Sequence, residues 1–504
     1  PDVLAGINPA LVHLSISPFG RTGPKAGWAA SDLTVWAAAG PLFVTGDDDR
    51  PPVQVGVPQA FHHAAGEAAG AVIAALIERS TSGRGQHLDV SAQQAATVAT
   101  QSMILAAPNG ASQVERSSGG LKVGPLFIQL RWPCRDGDVS VTFLFGTAIG
   151  PATARLMEWV FDEGHCDEAM RDTDWVGYAE LLFTGAITPE QFDEAKAAVG
   201  RLCASKTKAE LLEAALERNL LIAPIMSIAD VVGSPQFAER DVWDDVEGVR
   251  HPGRIVKSSP TSMPVLGAAP RLGEHTASVL SEPDRRPAIE ANEASGGVSP
   301  DTGATTSGPL AGLKVLDFMW VMAGPTATRV LADMGATVVR IESSRRVETA
   351  RTLQPFKNDE NDIDSSALFA NLNAGKLGLA LDLGNPAEHD VIHDLVRWAD
   401  VVTESFSPRG MRSFGLDYDA LRAIDPGIVR ASSCLFGQTG PLAEFAGYGT
   451  MAAAMSGFFG ITGWPDRAPC GPFAAYTDYT SPRFFTAAIL AAVDHRRRTG
   501  EGQY

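Results

Sequence analysis

In the C-terminal part of the chain, short apolar blocks alternate with stretches whose apolar residues recur at helical spacing. Leu313–Phe318 (LKVLDF) is predicted as a buried strand. The turn Ala323-Gly324-Pro325 follows, and Pro325 suits the first position of a helix running to about Met334. Thr337–Ile341 is a second strand ending at Glu342, which completes a βαβ unit. A strand at Leu377–Leu381 precedes the amphipathic helix Ala387–Ala399, the strand Asp400–Thr403, the helix Tyr418–Ile424 and the strand Ile428–Ser432. This alternation predicts an α/β fold with a largely parallel, Rossmann-like sheet covered on both faces. Residues 120–265 pattern differently. Short strands such as Val139–Phe143 mix with helices at Ala152–Phe161 and Lys206–Arg218, as expected of a smaller α+β domain.

The chain also repeats itself. Residues 8–87 align with 425–504 at a constant shift of 417, without a gap. About 24 of roughly 80 positions are identical, more than a gapless chance pairing would produce. Phe19-Gly20-Arg21-Thr22-Gly23-Pro24 matches Phe436-Gly437-Gln438-Thr439-Gly440-Pro441, and Gly83-Arg84-Gly85-Gln86 matches Gly500-Glu501-Gly502-Gln503. The expected organisation is a duplicated large domain. Copy 1 occupies 1–119 without its beginning, its small domain 120–265 and a return segment 266–280. Residues 281–308, rich in Pro, Gly, Ser, Thr, Ala and Glu, are expected as a flexible linker spanning about 30 Å. Copy 2 occupies 309–504 without its end, as in a fragment of a longer tandem protein.

Composition narrows the function. With 504 residues, 45% apolar and 20% charged, the chain can bury substantial cores. Its net charge of −18 disfavours nucleic acid and anionic lipid as partners. The apolar runs Ala68–Ile77 and Phe484–Val493 are shorter than the roughly 20 residues of a membrane span. Five scattered cysteines without a C-x-x-C fit a reducing cytoplasm, and neither a metal site nor a disulfide scaffold is expected.

Several short segments carry candidate chemistry. Met322-Ala323-Gly324-Pro325-Thr326-Ala327 has one glycine where the dinucleotide fingerprint has three, so NAD binding is disfavoured, although a helix N-terminus can hold other anions. Lys376, in the turn Asn373-Ala374-Gly375-Lys376, either meets a phosphate or is solvated. Ser405 and Phe406 follow a strand, where open sheets bind ligands, and Phe406 either stacks on a base or is buried. Asp478, before an apolar helix starting near Pro482, is either a turn residue or a carboxylate nucleophile. Its counterpart in copy 1 is Phe61, beside His62 and His63.

Taken in order, Pro309-Leu-Ala-Gly-Leu-Lys-Val-Leu-Asp-Phe, Ala323-Gly324-Pro325, Leu331-Ala-Asp-Met-Gly-Ala, Val338-Val-Arg-Ile-Glu342, Gly415-Leu-Asp-Tyr, Phe436-Gly-Gln-Thr-Gly-Pro441 and Arg498-Thr-Gly-Glu-Gly-Gln503 resemble the family III CoA-transferases of the CaiB/BaiF, formyl-CoA transferase type. The resemblance implies transfer of CoA from an acyl-CoA donor to a carboxylic acid, with the CoA thioester as co-substrate and no tightly bound cofactor. It assigns the nucleophile to Asp478 and CoA contacts to Val321, Met322, Ala323, Lys376, Ser405 and Phe406. Trp320 and Met322 stand where relatives are often polar, and Ser405 where Asn is usual. It further implies an intramolecular pseudo-dimer, alone or as a homodimer, with copy 1's small domain as a lid over Asp478. Thr477, Tyr476 and Tyr479 are candidate oxyanion donors. The alternatives are an acyl-CoA racemase or lyase on the same scaffold, or a catalytically inactive CoA-binding protein. The racemase base would fall at Tyr448 or Ser31, neither suited to that role.

Overall fold

The computed structural model describes residues 1–111, 115–123, 126–259, 264–265, 267–282 and 308–504. The predicted linker at 281–308 therefore lies almost wholly outside the described residues.

In the N-terminal part, β1 (His13–Ser17) pairs in parallel with β2 (His87–Ser91). Two helices connect them. α1 (Asp32–Ala39) opens on a capping box, with Ser31 accepting from the Thr34 amide and the Thr34 side chain accepting in return. α2 (Ala60–Ser82) ends at Gly83, whose φ of 69° supplies the left-handed C-cap. At 23 residues α2 is long and apolar enough to cross a membrane, which the run-length reading missed. Half of its most apolar stretch is nevertheless buried against protein.

The small domain has a three-stranded antiparallel sheet of β3 (Arg131–Cys134), β4 (Gly137–Val141) and β5 (Ile222–Pro224). Around it lie α3 (Gly146–Asp162), α4 (Pro189–Ser205) and α5 (Lys208–Arg218). The predicted strand Val139–Phe143 lies two residues earlier, and α3 begins before Ala152 because the helix accommodates Pro151. α4 was not predicted, although Thr188 and Gln191 form a capping box and Pro189 takes the first helical position.

The C-terminal part is the expected α/β layer. Its elements are β6 (Lys314–Phe318), α6 (Ala323–Asp333), β7 (Thr337–Glu342), β8 (Leu377–Ala380), β9 (Val401–Glu404) and β10 (Val429–Ser432), then α7 (Gly449–Met455) and α8 (Tyr476–Thr499). The five strands are all parallel, in the order β8-β7-β6-β9-β10. The pleat sends alternate side chains to opposite faces. Val315 joins Leu331, Ile489 and Leu490 on one face, while Leu316 joins Ile392, Val396 and Leu421 on the other. Each such fully buried side chain contributes about 1.5–3 kcal/mol relative to exposure. That double burial explains the near-continuous apolar strands.

α8 and α2 pack along each other in the same cluster, Ile489 and Leu490 meeting Ala74 and Ile77. Gly66 lies directly under Arg483, so that an added Cβ would stand 3.0 Å from the arginine Cβ. Around them, equivalent backbone features recur at the shift of 417. Gly20 and Gly437 have φ of 86° and 83°, and Gly23 and Gly440 have 90° and 93°. Asp49 and Arg467 form a two-pronged ion pair, and Arg50 and Asp466 form its counterpart with the roles exchanged.

The small domain does not stand apart. Its core, including Trp132, Met157 and Ile222, continues into Leu442, Phe445, Met451 and Met455 from the C-terminal part. Gln236 donates to the carbonyls of Phe436 and Thr439 and accepts from the Leu442 amide. The Met226 amide bonds the Ala454 carbonyl at the end of α7.

Candidate active site

The strand order reverses between β6 and β9, and open α/β sheets bind ligands in the crevice beyond such a point. The loop after β6 carries Val321, Met322 and Ala323, and the loop after β9 carries Ser405 and Phe406. The fold thus brings five predicted site residues to one crevice. Ser405 Oγ accepts from the Trp320 amide at 2.9 Å and ties the two loops together. The rings of Phe406 and Trp320 lie 6.4 Å apart.

The turn is held from below. Met319 N donates to Asp317 Oδ1 at 3.0 Å, and Val321 N donates to Glu348 Oε1 at 2.8 Å. With Trp320, three successive amides are taken up by side chains and are not available to a phosphate. Val321 adopts φ 68°, a left-handed conformation that a β-branched residue rarely takes. The single glycine has a packing role, because a Cβ on Gly324 would stand 2.3 Å from Met319 Sδ.

Lys376 faces inward. Its side chain is 1% exposed, and its ammonium is held by Asp317 Oδ2 at 3.1 Å, the Pro325 carbonyl at 3.0 Å, Thr328 Oγ1 at 2.8 Å and Asn373 Oδ1 at 3.0 Å. Burial brings its pKa down to about 8, against the pull of Asp317. The solvated-turn reading is therefore incorrect, and the lysine braces the turn from behind in this structure. An exposed cation at the crevice is Arg346, whose guanidinium lies 5.4 Å from the centre of the Trp320 ring.

Asp478 sits in the first turn of α8, which begins at Tyr476 rather than near Pro482. Pro482 lacks the N–H that would bond the Asp478 carbonyl, so the helix loses that rung without ending. The half-buried carboxyl lies against Gly449, where an added Cβ would approach Asp478 Cγ and Oδ1 to 2.7 Å. Burial pushes the carboxyl up to about 7, and the Gly449 backbone N–H partly opposes this. Asp478 and Arg346 both influence the nearby Tyr448 phenol, which burial pushes upward. Tyr479 packs with Met322 in one buried cluster and joins the start of α8 to the crevice turn.

The oxyanion expectation needs correction for two residues. Thr477 Oγ1 donates to the Gly449 carbonyl at 2.9 Å, and Tyr476 Oη donates to Gln59 Oε1 at 2.5 Å. Both hydroxyl protons are already committed. Gly449, Arg346 and Glu348 were missed from the sequence. Only Arg346 had a signal there, as one of two adjacent arginines shortly after a strand's carboxyl end.

Copy 1 inverts this arrangement. Asp32 stands where the shift of 417 predicts the counterpart of Gly449, and Phe61 stands where it predicts Asp478. Asp32 accepts from the amides of Gln59 and Phe61 and from Gln54 Nε2, while the Phe61 ring is exposed. A cavity of about 270 Å³ lies elsewhere, lined by Gln101, Arg329, Asn371 and Arg483 among others.

Three comparisons with known proteins bear on this site. The family model described as CoA-transferase family III matches residues 1–276 and 310–504. A succinate–glutarate CoA-transferase of Agrobacterium fabrum is 39% identical over 198 residues, covering 39% of this chain and 50% of that protein. A probable CoA-transferase of Mycobacterium tuberculosis is 29% identical over 504 residues, covering 98% of this chain and 60% of that protein. The chain therefore spans 50% and 60% of the length of these two relatives. A crystal structure of a CaiB/BaiF family protein from Brucella suis has 38% identity, a TM-score of 0.37, and coverage of 39% of this chain and 52% of that one.

Proposed function

The chain belongs to CoA-transferase family III, and from that premise we propose that it moves CoA from an acyl-CoA donor to a carboxylic acid through Asp478. The observation carrying this reading is the Asp478 carboxyl, seated on Gly449 at the start of α8, with Tyr479 packed on the crevice turn.

The chemistry is a double acyl exchange. The Asp478 carboxylate attacks the donor thioester carbonyl, and the C–S bond breaks to release CoA thiolate and leave a mixed anhydride. The thiolate attacks the aspartyl carbonyl, expelling the donor acid as carboxylate and leaving an aspartyl-CoA thioester. The acceptor carboxylate then attacks that thioester, giving a second anhydride and the thiolate again. Attack of the thiolate on the acceptor acyl carbonyl yields the new acyl-CoA and restores Asp478. Each step needs the attacking group ionised. A carboxyl titrating near neutrality is partly protonated at pH 7, and only its ionised fraction can attack.

In this reading the chain is an intramolecular pseudo-dimer made by duplication. The exchanged Asp49–Arg467 and Arg50–Asp466 pairs support it, because a two-fold interface makes each contact twice. Copy 1 supplies no nucleophile but contributes its small domain, seated on α7, whose first residue bears on Asp478. The packing of β5 and the Met226 amide on α7 supports that lid role. The names of relatives, such as the acetyl-CoA:oxalate CoA-transferase of Acetobacter aceti, make short dicarboxylic acids the first acceptors to test.

The test is intact-protein mass spectrometry after incubation with acetyl-, succinyl- and glutaryl-CoA. A hydroxylamine-sensitive CoA adduct on the unaltered chain, absent from Asp478→Ala, is the expected result. An adduct that persists in Asp478→Ala removes this residue from the chemistry, and CoA binding without any adduct favours an inactive binder.

A further inference from the structure

Two buried glutamates lie beneath the crevice, one under each wall. Glu348 is fully buried; its Oε1 accepts from Val321 N at 2.8 Å and from Ala350 N at 2.9 Å, and its Oε2 faces Arg340 Nη2 at 3.1 Å. Arg340, 2% exposed, also donates to the Met319 carbonyl at 2.7 Å. Glu404 is arranged in the same way at the end of β9. Its Oε2 accepts from Phe406 N at 2.7 Å and its Oε1 faces the buried Arg430 Nη2 at 3.1 Å.

Resting on the acyl-CoA reading above, we propose that Glu348 and Glu404 are positioning residues: Glu348 holds the Val321 amide and Glu404 the Phe406 amide, and together they keep the two crevice walls in the geometry that binds CoA.

Stability alone does not account for these pairs. A buried ion pair is often no more stabilising than apolar residues of the same volume, so its retention calls for another reason. Here the reason lies in what the carboxylates hold. Val321 is β-branched and sits at φ 68°, a conformation that persists only where the surroundings over-determine it. Glu348 supplies the acceptor for its amide, and Arg340 fixes the carbonyl two residues earlier. Strain held in this way, at a turn lining a ligand crevice, is pre-organisation. The ordering is complete before CoA arrives and does not subtract from its affinity. The second clamp differs in one respect, because Arg430 also lies 4.7 Å from the centre of the Tyr504 ring. Neither glutamate was a candidate from the sequence, since neither side chain reaches the crevice surface.

The experiment is calorimetric titration of the full chain with coenzyme A, beside a thermal melt, for Glu348→Ala, Glu348→Gln, Glu404→Ala, Glu404→Gln and Val321→Gly. Each alanine variant is expected to weaken CoA at least about tenfold, while each glutamine variant keeps an acceptor for the amide and stays within about threefold. A folded Glu348→Ala or Glu404→Ala with unchanged affinity overturns the proposal. So does a glutamine variant as weak as the alanine, because that places the effect in the ion pair. Should the alanine variants fail to fold, Val321→Gly decides. Glycine adopts the same φ without strain but confines the turn less, so CoA should weaken at least about threefold with folding intact, and unchanged affinity overturns the proposal. If the unaltered chain binds no CoA, the site reading falls together with the clamps. If it binds CoA and only the clamps are silent, the site reading stands.

Discussion

Tyr476 donates its phenolic proton to Gln59, and the two residues are 417 positions apart, the interval at which the chain repeats. Each is therefore bonded to its own counterpart. A position meets its counterpart only near a two-fold axis, which supports the proposed pseudo-dimer. Gly66 and Arg483, a second pair at that interval, touch a little further along the same two helices. There the glycine of one copy makes room for the arginine of the other. In the proposed pseudo-dimer the axis would pass beside the first turn of α8, two residues from Asp478.

Removing the Tyr476 hydroxyl tests this junction. Tyr476→Phe leaves the ring packed against Trp36 and Phe458 but leaves Gln59 without its donor and takes a partner from His63, which burial holds neutral with its pKa down to about 3. The expected loss is about 1–3 kcal/mol of unfolding free energy, read by chemical denaturation. A loss within error would mean that water replaces the phenol.

Asp478→Asn is expected to abolish the CoA adduct and lower transfer at least about 10³-fold. Its stability should respond to pH in a defined direction. Burial raises the folded carboxyl to about 7 from the ordinary aspartate value of 3.8. The stabilisation from the protonated form is complete below the unfolded value and is lost as pH rises through about 7. Melting from pH 5 to 8 should therefore show the variant gaining on the parent as pH rises. A constant difference would place Asp478 in a more solvated setting.

The same titration governs rate. In the proposed mechanism the reacting form is the carboxylate, so kcat/KM for the acyl-CoA donor should fall as pH drops through about 7. A profile flat down to pH 5 would contradict a buried nucleophile.

Gly449→Ala places a methyl group 2.7 Å from Asp478 Cγ and Oδ1, closer than real contacts allow. The carboxyl must move, and we expect about 1–3 kcal/mol of destabilisation with a drop in kcat of roughly 10². Full activity in a stable Gly449→Ala would show that the nucleophile does not depend on this seat.

Lys376→Met separates two roles. A lysine that meets CoA phosphate from the surface would weaken CoA without disturbing folding. A lysine buried against Asp317 leaves that carboxylate uncompensated when removed, at a cost of about 3–5 kcal/mol. The larger stability loss is the expected outcome, measured by denaturant unfolding beside CoA titration.

Much of this was legible in one dimension. The parallel sheet could be read because its strands are buried on both faces, which sets apolar residues side by side, as at Val315 and Leu316 in Lys314–Phe318. The proposed internal repeat is legible in positions such as Gly20 and Gly437, whose matching left-handed φ favours glycine. Local order also placed Val321 to Ala323 and Ser405 to Phe406 at the ends of strands. What remained hidden depends on contacts between distant segments. Nothing near Lys376 in sequence announces Asp317, 59 positions away, and a turn lysine can face inward or outward with the same local sequence. Glu348 and Gly449 carry no local sequence signal of the contacts they make. The sequence by itself determined which elements form, because propensity and burial periodicity act over a few residues. The tertiary structure alone decided which carboxylates are sealed, which is pressed against a glycine and which hold a turn, because burial and electrostatics sum over atoms close in space and not in order along the chain.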